Sequence, residues 1–498
     1  MNRTCRTWVA TFWLCMVVFS HPINAQTFVS WEIDPLQCAN NQDKDGDELT
    51  DAQRQFLRTT IEPTLSTKRP YHPPEVLPEH PKHCTLLHIN HLGRHGSRYA
   101  KDNRTMTVEH FQPAKEIGLL DDPTARLTEK GELLRSILQQ QQAFYTPEYS
   151  LAGEITAQGE QEQAGIAERL ITGSGLSKAT FLEQLMKRSG TARSTVVHRT
   201  HTSRAAFLES WKRSLNSSYL NLSILTPAPG ERDNELQFYR MCDLVANAWK
   251  PSVRNHQTEI NFAVNDPENR KKFVAFANDF IFGLTPQQAS SFASLAYHWC
   301  ALDANQSYKL GLCKLFIQAP EYHTVFEANN ERTSLAFFYG RGPVSALNYA
   351  NRDSAIELLN SFLTKADRAI THPQAPFVDL RYAHESTTLR FLQILGLVTY
   401  ENSTDADGNI VWDLGALSPM ATNIVWQTYS CNDAGEEAVH KVRMLVNERV
   451  TPFPISECQS DESGLCDWTT INEYYRQHYA HVSVDSVCGE SSGMDLQD

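Results

Sequence analysis

Apolar and polar positions alternate along this chain in blocks of two kinds. "CTLLHIN" (84–90) is a short apolar run of strand length and reads as a buried strand. Helical periodicity follows over roughly 129–146 and 158–171. "STVVH" (194–198) reads as a second short strand, leading into a helix near 200–215. From 234 to 340 the spacing is mostly helical, with little strand signal. "FVDLRYAH" (377–384), "NIVWQTYS" (423–430) and "KVRMLVNE" (441–448) then read as strands, with a helix over 386–396 between the first two. No internal repeat is present. Strands alternating with helices at both ends of a helix-rich middle predict an α/β fold carrying a helical insertion. The expected division is an α/β domain over 81–215 and 345–498, a helical insertion over 216–344, and a polar, turn-rich extension over 26–80 ending in "RPYHPPEVLPEHP".

The first 25 residues stand apart. Arg3 and Arg6 precede an apolar run from Trp8 to Phe19, and Ala25 offers a small residue at a cleavage point, the pattern of a secretory signal peptide. The run is too short to span a bilayer, and no later stretch is long and apolar enough to do so. The carboxyl end, "GMDLQD", has neither an ER-retention tetrapeptide nor a hydrophobic tail. The expectation is a protein secreted or held in the lumen of the secretory and endolysosomal route, with no stable membrane anchor. Removing the leader takes the net charge from −13 to −15. Such a chain is a poor nucleic-acid binder, and any anion it binds must meet a local basic pocket. Nine of eleven cysteines remain, which in an exported protein read as disulfides with one left over; no CxxC suggests zinc. Asn103, Asn216, Asn221, Asn305 and Asn402 head Asn-x-Ser/Thr sequons, fitting a glycoprotein. "DKDGDELTD" (Asp43 to Asp51) invites a calcium-loop reading. With Gly46 at the sixth position, the twelfth is Ala52 rather than a carboxylate, so a solvated acidic turn is expected.

The chemistry gathers in "HINHLGRHGSRYAK" (88–101). A strand running into this segment delivers His95 at its carboxyl end, where open α/β sheets hold their ligands. Gly93 and Gly96 allow a sharp turn and a close backbone approach to a ligand. Arg94 and Arg98 are forks that fit phosphate oxygens. Between two guanidiniums, His95 should be kept neutral by like-charge repulsion, and neutral imidazole is a nucleophile. In phosphoryl transfer the charge lies on the equatorial oxygens, where such arginines point. His88 and His91 fall on opposite faces of the strand and so cannot easily join His95 around one metal. No metal and no cofactor is expected.

"RHGSRY" resembles the RHGxR signature of the histidine acid phosphatases, and the resemblance runs over about 80–490. "GEITAQGEQEQAGIAERL" (153–170) is similar to that family's LTxxGxxE helix start. "HRTHTSRAAFL" (198–208) resembles the segment with a further phosphate-binding arginine, here Arg199. "RYAHES" (381–386) resembles the motif with a second histidine and an acidic proton donor, here His384 and Glu385. "KVRMLVNERVTPFP" (441–454) resembles a strand and turn of fungal phytases and multiple inositol polyphosphate phosphatases. The resemblance implies a histidine-phosphatase-type sheet flanked by helices, with an inserted mostly helical domain. It implies disulfides Cys84–Cys431, Cys242–Cys488, Cys300–Cys313 and Cys458–Cys466, leaving Cys38 alone. The family commonly has proline after RHGxRY, where this chain has Ala100. Its acid pairs are His-Asp or His-Ala-Glu, whereas this chain has His-Glu, one methylene longer than His-Asp.

The function so implied is hydrolysis of phosphomonoesters through a phosphohistidine on His95. Arg94, Arg98 and Arg199 would bind the phosphate, with a further hydrogen bond from His384. Glu385 would protonate the leaving alkoxide and then activate water, which calls for an acidic working range. The resemblance favours inositol polyphosphates such as phytate, and Lys101 would meet a neighbouring phosphate or simply sit solvated. Alternatives are a broad-specificity acid phosphatase and an inactive relative acting as a binding glycoprotein, though all six chemical positions are filled. Phosphoglycerate mutases share the RHG histidine but usually lack this secretory, disulfide-rich format.

Overall fold

The computed structural model describes residues 49–146, 150–343, 345–432, 437–458 and 463–488. The leader, Cys38, most of the Asp43–Asp51 turn and the carboxyl-terminal hexapeptide lie outside the described residues. The described residues from Asp51 onward form one compact unit.

Its centre is a mixed sheet. The strands are β1 (Cys84–Arg94), β2 (Gly190–Ser194), β3 (Leu222–Leu225), β4 (Val378–Ala383), β5 (Asn423–Cys431), β6 (Val439–Val446), β7 (Arg449–Val450) and β8 (Leu465–Asp467). They run in the order β3-β2-β4-β1-β5-β6-β7, with β8 also paired to β6. β3, β2, β4 and β1 are mutually parallel, whereas β5 to β8 add antiparallel neighbours. β1 is buried on both faces from His88 to Arg94, as a central strand covered on each side must be.

Each face has its own core. On one, α1 (Ala157–Thr172) and α2 (His198–Ser214) set Ile166, Phe207 and Trp211 against Ile89, Leu380, Tyr382 and Val425. On the other, α3 (Ile356–Thr371), α4 (Glu385–Ile394) and α5 (Trp468–His478) set Phe362, Phe391 and Tyr475 against Leu92, Ile424, Trp426 and Met444. Each such large side chain stabilises by about 1.5–3 kcal/mol through burial alone. The helical stretch between β3 and β4 has its own aromatic centre, where Phe276, Phe280, Phe292 and Phe316 meet at ring distances of 5.3–6.3 Å.

One predicted strand is misplaced. "STVVH" is strand only at Ser194; the ladder occupies Gly190–Ser194 and the helix begins at His198. β-branched Thr195, Val196 and Val197 supply a strand signal, but these residues turn the chain out of the sheet. The true strand, "GTARS", is poor in large apolar side chains, so its pattern is weak. The sulfurs of Cys84 and Cys431, Cys242 and Cys488, Cys300 and Cys313, and Cys458 and Cys466 are bonded. Cys84 and Cys431 stand directly opposite each other at the ends of β1 and β5. No helix of the described residues is long and apolar enough to cross a membrane.

Candidate active site

The parallel register brings distant segments to one edge. Arg94 at the end of β1 pairs with Ala383 at the end of β4. The His95 amide donates to the Ala383 carbonyl at 3.1 Å, and the Ala421 amide donates to the His95 carbonyl at 3.0 Å. His95 and His384 therefore leave adjacent strands side by side, with ring centres 5.8 Å apart. β2, next to β4, ends at Ser194 opposite Tyr382 and leads into α2, whose second residue is Arg199.

The loop around His95 is held by α1. Gly96 and Gly159 touch backbone to backbone: a Cβ on Gly96 would lie 2.4 Å from the Gly159 oxygen, and one on Gly159 would lie 2.1 Å from the Ser97 oxygen. The sequence reading assigned Gly93 and Gly96 to close approach by a ligand. The space at Gly96 is instead taken by Gly159, and a Cβ on Gly93 would meet the His91 ring at 2.7 Å, so both serve internal packing. Glu162 accepts from the Ser97 amide and hydroxyl, each at 2.7 Å, and from the Tyr71 amide at 3.1 Å. Gln163 donates to the Arg94 carbonyl at 2.9 Å, and the Gly96 amide donates to Ser203 Oγ at 3.1 Å.

His95 Nδ1 lies 2.9 Å from the Gly96 carbonyl. A carbonyl can only accept, so Nδ1 carries the hydrogen and the Nε2 lone pair is free. Burial holds the ring's pKa well below the ordinary histidine range, with Arg199, Arg94 and Arg98 adding to the effect. The sequence reading named the guanidiniums alone; burial is the larger cause. His384 is likewise held neutral, by burial first and then by Arg199 and Arg240. Its Nδ1 faces the Arg199 guanidinium, which can only donate, so Nδ1 accepts and Nε2 carries the hydrogen toward Thr195 Oγ1 at 3.1 Å. Because that hydroxyl can also donate, the ring can take the other tautomer and turn an Nδ1–H to an anion.

Three arginines converge here. Arg94 Nη1 donates to the carbonyls of Thr67, Ser418 and Pro419 at 2.7–3.0 Å, which anchors the side chain and leaves the rest of the fork. Arg98 Nη1 donates to the Tyr99 carbonyl at 2.8 Å. Arg199 Nη2 comes within 3.5 Å of His384 Nδ1. Arg94, Arg98 and Arg199 each keep a buried Nε–H with no protein acceptor among the described residues. Burial, then mutual repulsion, brings Arg98 down to about 9. A buried donor without an acceptor costs roughly 1–3 kcal/mol, so three such donors around one histidine are suited to an anion's oxygens.

These groups line a cavity of about 510 Å³. Its wall also carries Lys68, Lys101, Arg240, Arg341 and Arg390, and its only lining carboxylate among the described residues is Glu385. Lys68 Nζ lies 3.0 Å from His298 Nδ1, and burial brings Lys68 down to about 8. Glu385 Oε2 accepts from Arg341 Nη1 at 2.6 Å, and its Oε1 is buried without a partner among the described residues. Lys101 is at the rim, its side chain 62% exposed and 4.0 Å from Asp102. A larger recess of about 630 Å³ lies over the Cys84–Cys431 bridge, but it holds none of these groups.

Sequence reasoning missed Lys68, Arg240, His298, Arg341 and Arg390. Lone basic residues in helical or irregular stretches carry no spacing signal. His88 and His91 are apart from the site: His88 Nδ1 is 2.9 Å from the Pro376 carbonyl, and His91 packs between Phe207 and Tyr382. Among the sequons, Asn305 is a correction. It is 2% exposed and its Nδ2 donates to the carbonyls of Lys68 and Ala301, so the folded chain cannot present it to a glycan. Asn216 and Asn402 are exposed, and Asn103 and Asn221 are half-buried.

The profile of the histidine phosphatase superfamily (branch 2) matches residues 85–447. A probable acid phosphatase of Saccharomyces cerevisiae is 23% identical over 423 residues, 82% of this chain and 81% of that protein. Among solved structures, a multiple inositol polyphosphate phosphatase of Bifidobacterium longum in complex with inositol hexasulfate is similar with a TM-score of 0.62 at 17% identity. It covers 83% of this chain and 97% of its own. The phytase from D. castellii is similar with a TM-score of 0.62 at 14% identity, over 92% and 93% of the two chains. At these identities the structures speak for the fold, and the profile, spanning most of the chain, speaks for the family. This chain belongs to the histidine phosphatase superfamily, branch 2.

Proposed function

We propose that this protein is a phosphomonoesterase that removes phosphate from inositol polyphosphates of the phytate type. The observation carrying this reading is the charge of the cavity: eight cationic side chains face one carboxylate. Arg94, Arg98 and Arg199 suffice for a single phosphoryl group. Lys68, Lys101, Arg240, Arg341 and Arg390 are in excess of what a simple monoester needs, and they suit further phosphates on one small ring. The names of the two structural neighbours agree with this substrate class.

In this reading, Nε2 of His95 attacks phosphorus while the three arginines and His384 take the equatorial oxygens. The P–O bond to the inositol carbon breaks, its electron pair stays on oxygen, and Glu385 gives that oxygen a proton. Glu385 then removes a proton from water, hydroxide attacks the phosphohistidine, and the P–N electrons return to His95. The leader, the disulfides and the exposed sequons support export as a glycoprotein.

The yeast relative favours a second reading, a broad-specificity acid phosphatase. Comparing kcat/KM for phytate, glycerol 2-phosphate and p-nitrophenyl phosphate over an acidic pH series separates the two. The first reading expects phytate to be preferred by at least about tenfold, the return of one extra charge-assisted contact. Equal values for phytate and glycerol 2-phosphate support the second reading instead.

A further inference from the structure

Arg341 is the last residue of the helix Tyr322–Arg341, and Glu385 is the first residue of α4. The two meet across the cavity at 2.6 Å. The Arg341 guanidinium lies over the rings of Trp249 at 4.6 Å and Phe337 at 5.0 Å, and Gln393 Nε2 donates to the Arg341 carbonyl at 2.8 Å. The Arg341 backbone is thus anchored and the guanidinium is flanked by two rings, while its fork reaches the carboxylate. Arg341 is 28% exposed at its side chain, against 10% for Glu385. A ligand entering the cavity can reach the guanidinium more readily than the acid.

This arrangement conflicts with the task given to Glu385. A carboxylate held by a guanidinium is an acceptor, whereas a general acid must donate. The conflict is resolved if the substrate itself removes the guanidinium. A phosphate on a neighbouring carbon offers Arg341 an anionic acceptor with several oxygens for its fork, and Arg94, Arg199 and Arg390 of the same cavity favour that added anion.

Resting on the polyphosphate reading above, we propose that Arg341 is a substrate-operated latch on Glu385. In the free site it holds the carboxylate. A second phosphate of the substrate takes its fork, and Glu385 picks up a proton from the acidic solvent. Glu385 then gives that proton to the leaving alkoxide as the P–O bond breaks. A substrate with a single phosphate cannot open the latch, so Arg341 sets the preference for polyphosphates.

The test compares the full mature chain with Arg341→Gln, Arg341→Lys and Arg341→Gln/Glu385→Gln. Phosphorylation is followed by single turnover with phytate and with glycerol 2-phosphate, both of which leave as alkoxides. The latch expects Arg341→Gln to phosphorylate from glycerol 2-phosphate about tenfold faster than the parent, the return of losing one charge-assisted contact. Its KM for phytate should rise by a similar factor. The gain should vanish in the double variant, since it acts through Glu385. Arg341→Lys keeps the charge without the fork and should show a smaller gain, about threefold, which keeps the test open if the glutamine variant fails to fold. Equal slowing with both substrates would mean that Arg341 only positions Glu385, and would overturn the latch. So would a loss with phytate and no change with glycerol 2-phosphate, the mark of a plain phosphate contact. A parent enzyme that handles glycerol 2-phosphate as well as phytate would overturn the polyphosphate reading itself, and the latch with it.

Discussion

His91→Leu should make the protein less sensitive to acid. His91 is 1% exposed, and both its ring nitrogens are buried without a partner among the described residues. Burial, reinforced by Arg381, lowers its pKa to about 3. In the unfolded chain the ring titrates near the ordinary value of about 6.5. Folding therefore excludes a proton that the unfolded chain binds, and stability falls as pH drops below about 6.5. Between about pH 8 and about pH 5 the unfolded state gains RT ln of roughly 30, or about 2 kcal/mol, while the folded ring stays neutral. Leucine has a similar volume and no proton to bind. Its packing cost against Phe207 and Tyr382 is the same at both pH values and cancels. The assay is urea unfolding of parent and variant, disulfides intact, at the two pH values, with refolding verified. The variant's stability relative to the parent should be about 2 kcal/mol more favourable at the lower pH. A relative stability that is the same at both, within about 0.5 kcal/mol, would refute the reasoning, because the folded ring would then be taking up the proton.

His95→Ala should reduce turnover by about ten-thousandfold or more and leave the fold intact; acid trapping after mixing with labelled substrate should yield phosphohistidine in the parent only, and a variant that still turns over would remove His95 as nucleophile. Glu385→Gln should slow single-turnover phosphorylation from phytate by about a hundredfold to ten-thousandfold and from p-nitrophenyl phosphate far less, because nitrophenolate leaves without a proton. Equal, small losses would assign the proton to another group. Peptide mapping without reduction should return Cys84–Cys431, Cys242–Cys488, Cys300–Cys313 and Cys458–Cys466, with Cys38 outside them. A Cys38–Cys84 peptide would break that framework.

Local pattern was enough for much of the fold. The apolar runs at 84–90 and 377–384 marked two central strands, which the structure carries on to Arg94 and closes at Ala383, and the helices at Ala157–Thr172 and Glu385–Ile394 fell where their periodicity put them. The pattern failed at "STVVH", where three β-branched residues form a turn and the true strand is nearly featureless. Gly96 looked like a ligand contact because a missing Cβ has no direction in sequence; its partner, Gly159, is 63 residues away.

By itself the sequence pointed to the residues at the centre of the site. A histidine between arginines at the end of an apolar strand, a later arginine, and a His-Glu pair after another strand are short motifs, each legible from neighbours in the chain. Tertiary structure alone decided what surrounds them. Parallel pairing of β1 with β4 sets His95 beside His384, although 289 residues separate them. The helical stretch contributes Arg240 and Arg341 to the far wall, and Lys68 arrives from before the first strand. Those cations come from separate turns of chain, with no period or motif to join them. Their effect, an excess of positive charge in one cavity of a chain that is acidic overall, exists only once folding has brought them round that one cavity, where low dielectric makes charge count.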